Sequence, residues 1–261
     1  MHDLRLSVIV PTFDERDTVL ASLERLLEVP DVTQVVVVDD GSRDGTTEIL
    51  RAREKDPRVQ LVFHATNRGK TPALVSGLEH VDGDVTIVHD ADLEYDPANL
   101  PRLLERFADP TVVAVFGTRY PRYGREALLP AWLRHRLGLP HGGSRPAAFY
   151  DAIDPVSYYG SMVVTELANV LFGLSLSDEA TCYKAVRTAV LRTLDLGGRG
   201  FEFCPALVAE LALRGARIVE VPIDYTPRSR RAGKKIRWRD GLDAARVLIA
   251  RRLRAGRGPR A

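Results

Sequence analysis

The chain is poor in cysteine, tryptophan and methionine, with two of each. Cys182 and Cys204 form no CxxC pair. They therefore imply neither a disulfide framework nor a cysteine-built zinc site, and a reducing cytoplasm is the expected compartment. There is no excess of charge of one sign: 37 Lys and Arg against 35 Asp and Glu leave a net +2. No basic face is interleaved with aromatics, so nucleic acid is not an expected partner. No apolar run approaches the length that crosses a bilayer. The N-terminus leads directly into a strand, so no signal peptide is expected. Repeats and low-complexity tracts are also missing. The remainder, 45% apolar and 28% charged, is the composition of an ordinary soluble globular chain.

What is present is an alternation of apolar runs and amphipathic stretches. Leu6 to Val10 reads as a strand ending at Pro11. A helix from Arg16 to Val29 follows, with Asp14 or a Thr12–Glu15 capping box at its start. Gln34 to Val38 carries four consecutive valines, the pattern of a strand buried on both faces in a parallel sheet. A helix opening at Thr46 and a strand over Val59 to Phe63 come next. The third helix is expected to have Thr71 as N-cap and Pro72 at its first position. Val85 to Val88 is a fourth strand, followed by a helix from Asp96–Pro97 to Phe107 and a fifth strand over Val112 to Gly117. This order predicts an α/β fold with a doubly wound, mostly parallel sheet flanked by helices. Right-handed crossovers then bring the strands' C-terminal ends to one edge, where open α/β sheets bind ligands.

Beyond Arg119 the pattern changes. Tyr120 to Asp154 has no clean period and reads as a long loop with one short helix near Trp132; His135 and His141 within it receive no catalytic role. Helices are expected over Val156 to Phe172, Thr188 to Leu194, Pro205 to Arg214 and Asp240 to Arg254. A short strand is expected at Lys184, and another over Arg217 to Val221, with Pro222 marking an edge or bulge.

The residues that suggest chemistry collect at the predicted sheet edge. Asp90 and Asp92 flank Ala91 after an apolar strand. Positions two apart on an extended chain face one way, and two close carboxylates call for a positive group between them. A hard cation, Mg2+ or Mn2+, is the natural candidate because it binds carboxylates and brings phosphates with it. Asp39 and Asp40 close the valine strand; Asp39 suits the turn and Asp40 a hydrogen bond to a ligand. Asn67 to Thr71 ends in Gly-Lys-Thr, but His64 stands where a phosphate loop needs glycine. Lys70 at a helix start still favours an anion. Arg228, Arg230, Arg231, Lys234 and Lys235 form a cationic stretch suited to closing on a diphosphate. Asp178 has no evident structural role, Glu179 reads as a turn cap, and Cys182 as a small buried apolar residue.

Six strings carry a resemblance: SVIVPTFDERDTV, VVVVDDGSRDGT, NRGKTPALVSGLEHVDGDVTIVHDADLEYDP, FGTRY, LSDEATCYKAVR and GFEFCPALVAELALRGARIVEVPIDYTPRSRRAGKKIRWRDG. In this order they resemble the family 2 glycosyltransferases of GT-A type, nearest to the polyprenyl- and dolichyl-phosphate sugar synthases. The resemblance implies one GT-A domain over residues 1–236. Its nucleotide-sugar half is 1–119 and its acceptor half 120–236, and an Arg-rich amphipathic helix and tail span 237–261. It implies that Pro11, Phe13, Glu15, Val38 and Asp40 hold a GDP- or UDP-linked sugar, with Asp90 and Ala91 at the ribose, sugar or diphosphate. Asp92 would be the main metal ligand, with Asp90 and Glu94 beside it. Lys70, Arg119, Lys184, Arg228 and Lys234 would reach phosphates. Departures are Asp14 for the usual Asn, Thr71 for a Gly, the unmatched segment 120–154, and no counterpart to the C-terminal membrane spans of many relatives.

The expected activity is an inverting, metal-dependent transfer from a nucleoside-diphosphate sugar to a polyprenyl phosphate. The expected location is the cytoplasm, including peripheral contact with the inner face of the membrane through the final helix. A lipid phosphate is already anionic and needs no general base, whereas a hydroxyl acceptor does; Asp178 is then the candidate, with Asp92 and Arg119 completing the catalytic set. Three alternatives remain at this point. They are a soluble-acceptor glycosyltransferase, a binding module without turnover, and an Asp-x-Asp phosphotransferase, which would want a threonine where Glu94 stands.

Overall fold

The computed structural model describes residues 4–53, 56–120, 136, 154–198, 202–227 and 238–256. Its centre is the valine run. Val35 to Val38 is buried on both sides within β2 (Val32–Asp39), which pairs in parallel with β1 (Leu6–Thr12) and with β3 (Val59–Phe63). Beyond β1 lie β4 (Val85–Val88), β6 (Lys184–Arg187), β5 (Val112–Thr118) and β7 (Arg217–Pro222), so the sheet runs β3-β2-β1-β4-β6-β5-β7. All neighbouring pairs are parallel except those made by β6, which runs against β4 and β5. A mostly parallel sheet is what the continuous apolar strands predicted. Pro222 ends the edge strand β7, where its missing N–H leaves no ladder partner wanting.

The helices are α1 (Val19–Leu27), α2 (Thr46–Ala52), α3 (Lys70–Leu78), α4 (Leu100–Leu104), α5 (Pro155–Phe172), α6 (Thr188–Leu191), α7 (Phe203–Leu213) and α8 (Trp238–Ala255). Their apolar sides and the sheet share one contiguous core. Helix α8 packs on α5 and α7, burying Leu248 and pairing Arg251 with Glu210 at 2.5 Å.

Three helical stretches differ from the sequence reading. Helix α1 begins at Val19, not Arg16, and no capping box forms. Asp14 instead adopts a left-handed φ of 51°, and its carboxylate accepts from the Arg43 N–H at 2.8 Å, tying this turn to the one after β2. Helix α3 begins at Lys70, so Thr71 is inside it rather than its cap. Pro72 is tolerated there because first-turn N–H groups have no partner within a helix. The stretch from Pro97 to Phe107 is not one helix but two 3-10 turns around α4, with Pro101 removing a backbone donor midway. The Asp96 cap does form, accepting from the Ala98 N–H at 3.0 Å. The expected helix near Trp132, His135, His141 and most of 120–154 lie outside the described residues, as do Arg228, Arg230, Arg231, Lys234 and Lys235.

Candidate functional site

Parallel pairing of β1, β2 and β4 delivers their C-terminal ends to one edge: Thr12 lies opposite Asp39, and the His89 N–H reaches the Ile9 carbonyl at 2.9 Å. Pro11 to Glu15, Asp39–Asp40 and Asp90–Asp92 therefore meet there. Val38 is opposite Pro11 and fully buried, so, unlike the expectation, it presents no surface to a nucleotide.

The two aspartates after β2 divide their work. Asp39 closes the turn, accepting from the Ser42 N–H at 3.1 Å and hydroxyl at 2.5 Å, and from the Thr47 hydroxyl. Asp40, buried, accepts from the N–H groups of Arg68 (2.9 Å) and Gly69 (2.7 Å) and from the His64 ring at 2.6 Å. Its carboxylate thus organises the loop that delivers Lys70. Gly41 permits the close approach of the two loops. It has a φ of 75°, and an added Cβ would lie 2.7 Å from the Thr66 carbonyl carbon.

Lys70 has an anion, and it is Asp90: the ammonium donates to the carboxylate at 2.5 Å. Burial opposes both charges, but each holds the other ionised, so the Lys70 pKa is raised and that of Asp90 lowered. Asp92 is half-buried and accepts from the Glu94 N–H at 3.1 Å. Leu93 between them has a φ of 63°, strained for a branched side chain. Glu94 turns inward and takes a hydrogen bond from the Tyr225 hydroxyl, while its carbonyl accepts from the Thr226 N–H at 2.8 Å.

The expected three-carboxylate metal set is therefore not assembled. Asp90 faces Lys70, Glu94 faces Tyr225, and no three His, Cys, Asp or Glu side chains converge among the described residues. Asp92 is the carboxylate at this edge best suited to a hard cation. Mg2+-like ions commonly take one or two carboxylates and complete their shell with substrate phosphate and water, and the donor set fits that arrangement.

Arg119 and Asp178 also differ from expectation. The guanidinium meets the carboxylate through two bonds of 2.8 Å, and the Arg119 backbone N–H adds a third at 2.9 Å. Asp178 is 1% exposed and Arg119 9%. A general base needs a lone pair facing substrate, and both Asp178 oxygens are committed to Arg119, so the base assignment is withdrawn. Burial opposes the Arg119 charge, but Asp178 holds its pKa well above the ordinary value. The guanidinium also lies 5.2 Å from the Tyr225 ring, linking this pair to the Glu94 loop.

Lys184 does not reach an open phosphate site. It is buried, donating to the carbonyls of Glu179 (2.5 Å) and Thr181 and lying 5.2 Å from the Phe116 ring. Glu179 is no turn cap either. Burial raises its pKa, and its Oε1 is buried with no hydrogen-bond partner. Cys182 is buried as expected, with its thiol pKa pushed well up by burial.

Sequence reasoning missed His89, Tyr183 and Tyr225, and gave His64 no role. His89 is 1% exposed and bridges the Ser22 hydroxyl (3.0 Å) and the Tyr183 hydroxyl (2.8 Å). Its place at the end of an apolar strand was the available signal. Burial depresses its pKa from 6.5 to about 4. A group depressed on folding stabilises the fold fully above its unfolded pKa and loses that contribution as pH falls through the folded one. From pH 6.5 down to 4 the fold should therefore lose about 3 kcal/mol at this residue. Urea unfolding of wild type and His89→Gln at pH 7 and pH 4.5 measures it. An equal acid loss in both proteins contradicts it.

Residues 7–194 match the family described as Glycosyl transferase family 2. The chain is 31% identical over 232 residues to the undecaprenyl-phosphate mannosyltransferase of Micrococcus luteus, covering 86% of this chain and 85% of that protein. It is 26% identical over 239 residues to the dolichol-phosphate mannosyltransferase of Pyrococcus furiosus, covering 88% of this chain but 59% of the longer relative. Among solved structures, the glucosyl-3-phosphoglycerate synthase of Mycobacterium tuberculosis, crystallised with Mn2+, UDP-glucose and glycerol 3-phosphate, superposes with a TM-score of 0.65 at 18% identity. That likeness covers 97% of this chain and 80% of the synthase. It bears out the GT-A-type sheet. With a match over residues 7–194 and a relative above 30% identity along most of both chains, the chain belongs to glycosyl transferase family 2 and is a glycosyltransferase.

Proposed function

We propose that this enzyme moves a hexose from a nucleoside-diphosphate sugar to a polyprenyl phosphate with the help of a divalent cation. The observation that carries the reading is the likeness to the Micrococcus luteus enzyme over most of both chains, since that relative's name specifies undecaprenyl phosphate as acceptor. The commitment of Asp178 to Arg119 supports it independently. A phosphate acceptor is already anionic near neutral pH, so the site needs no carboxylate to remove a proton.

In this reading the half spanning 1–119 holds the donor and the half spanning 120–236 the acceptor. Pro11, Phe13 and Glu15 line the nucleotide. Lys70, fixed by Asp90, places positive charge beside the diphosphate, and Asp92 offers its carboxylate to the cation. A bound Mg2+ or Mn2+ would neutralise charge on the departing diphosphate. The acceptor oxygen bonds to the anomeric carbon on the face opposite the breaking carbon–oxygen bond, through an oxocarbenium-like state. Arg228 and Lys234 follow Tyr225 and Thr226 closely in the chain, and those two residues are held by the Glu94 loop. This anchoring supports a role for the cationic stretch at the diphosphate.

A peripheral membrane contact belongs to the same proposal. No helix among the described residues is long and apolar enough to cross a membrane. Helices α5 and α8, which pack together, each expose an apolar stripe: Tyr159, Val163 and Val170 on one, Leu242, Ile249 and Leu253 on the other. Exposed Arg246, Arg252 and Arg254 flank the second stripe, a combination suited to anionic lipid on the cytoplasmic face.

One experiment tests the whole reading. GDP- and UDP-linked sugars are offered with Mn2+, Mg2+ or EDTA, with polyprenyl phosphate carried in vesicles with or without anionic lipid. Mass spectrometry should find a glycosylated lipid phosphate that EDTA abolishes, and the protein should pellet with the anionic vesicles. Product on soluble hydroxyl acceptors alone, or full turnover in EDTA, refutes the proposal.

A further inference from the structure

Three side chains form a hydrogen-bonded line beneath the loop that carries Lys70. The Ser76 hydroxyl, on α3, lies 3.0 Å from His64 Nε2. His64 Nδ1 lies 2.6 Å from Asp40 Oδ1. Asp40 in turn accepts the backbone N–H groups of Arg68 and Gly69, the two residues before Lys70. His64 and Asp40 are both nearly closed to solvent, with side chains 6% and 4% exposed. The order Ser-His-Asp is that of a nucleophilic triad, but Ser76 lies well inside helix α3, where the backbone N–H groups around it are committed to the helix and cannot form an oxyanion hole. The line therefore has a mechanical role.

We infer that His64 is a positioning residue of the donor site. Its ring donates to Asp40 and fixes that carboxylate in the one orientation that can accept from both Arg68 and Gly69. Ser76 holds the other ring nitrogen and prevents the ring from turning away. Through Asp40 the ring sets the path of residues 64–69, and so the point from which Lys70 reaches Asp90. The same loop also lies close against Gly41, at Thr66 and Asn67. With the ring removed, Asp40 keeps only the two backbone donors, and the loop samples arrangements in which Lys70 is displaced. Such a change lowers the fraction of enzyme competent to bind donor, which raises the apparent dissociation constant and leaves the bound state's chemistry intact.

The inference rests on the reading of this edge as the nucleotide-sugar site. The test is therefore arranged to separate the two. His64→Ala, His64→Asn, Ser76→Ala and a surface control, His80→Ala, are compared with wild type on GDP-mannose and UDP-glucose with Mn2+. For the donor that wild type turns over, His64→Ala should raise KM about tenfold with kcat within about twofold. His64→Asn, whose amide can donate to Asp40, should return KM to within about threefold of wild type. Ser76→Ala should raise KM about threefold, and it carries the test should His64→Ala fail to fold. Trypsin cleavage after the exposed Arg68 should be about tenfold faster in His64→Ala, a measurement that needs no donor. An unchanged KM, a fall in kcat at constant KM, or an Asn variant no better than Ala overturns the inference. Where wild type turns over no GDP- or UDP-linked sugar with polyprenyl phosphate present, the proposed function fails, and the tryptic rate alone decides for or against His64.

Discussion

Asp178→Ala should lower the stability of the fold by about 3–5 kcal/mol, the cost of leaving a buried charge without its partner. In a chain of this size that corresponds to a fall in Tm on the order of 10 °C. The geometry behind the figure is the closed ion pair: a nearly buried guanidinium, two bonds of 2.8 Å, and a third from the Arg119 backbone. The double variant Arg119→Met/Asp178→Leu should be markedly less damaged than Asp178→Ala, because no uncompensated charge remains. Thermal unfolding of the three proteins checks this. A catalytic base would behave in the opposite way. Its loss would slow turnover at nearly constant Tm, and removing Arg119 as well would rescue nothing. An Asp178→Ala protein as stable as wild type would restore the base assignment.

Asp92→Ala should reduce kcat/KM about a thousandfold, on the scale of losing a main electrostatic contact to a developing charge, while leaving Tm within about 2 °C. The asymmetry between activity and stability follows from its surroundings. Asp92 is half-buried on a strained turn rather than packed in the core. Mn2+ binding in the presence of a nucleoside diphosphate, followed by electron paramagnetic resonance, should weaken in parallel. Glu94→Gln provides the contrast. Its partner is the Tyr225 hydroxyl, so the variant should keep the metal and lose far less activity than Asp92→Ala. Loss of metal in Glu94→Gln but not in Asp92→Ala would reverse the assignment.

Much of the sheet was legible because burial on both faces leaves a mark in one strand at a time. Val35 to Val38 needs no knowledge of its neighbours to be read as an inner strand. The site's location was legible for a related reason: once strands are parallel, polar residues following them must share an edge. What could not be read were pairings across long stretches of sequence. Nothing local to Asp178 reveals Arg119, nothing local to Glu94 reveals Tyr225, and Lys184 reads as a phosphate ligand until two carbonyls and a phenyl ring are found around it. Helix starts failed where a side chain had a competing partner, as Asp14 has in the Arg43 N–H. His64 was noticed only for failing to be a glycine. Its own partners, Asp40 and Ser76, come from β2's end and from α3.

The reversed strand β6 has a further consequence for how such enzymes diversify. Because it opposes β4 and β5, its beginning rather than its end faces the shared edge. Whatever precedes β6 in the chain arrives at that edge without any rethreading of β1 to β4. A segment of different length or chemistry can therefore be exchanged between β5 and α5 while the parallel ladder of β1 to β4 stays in place.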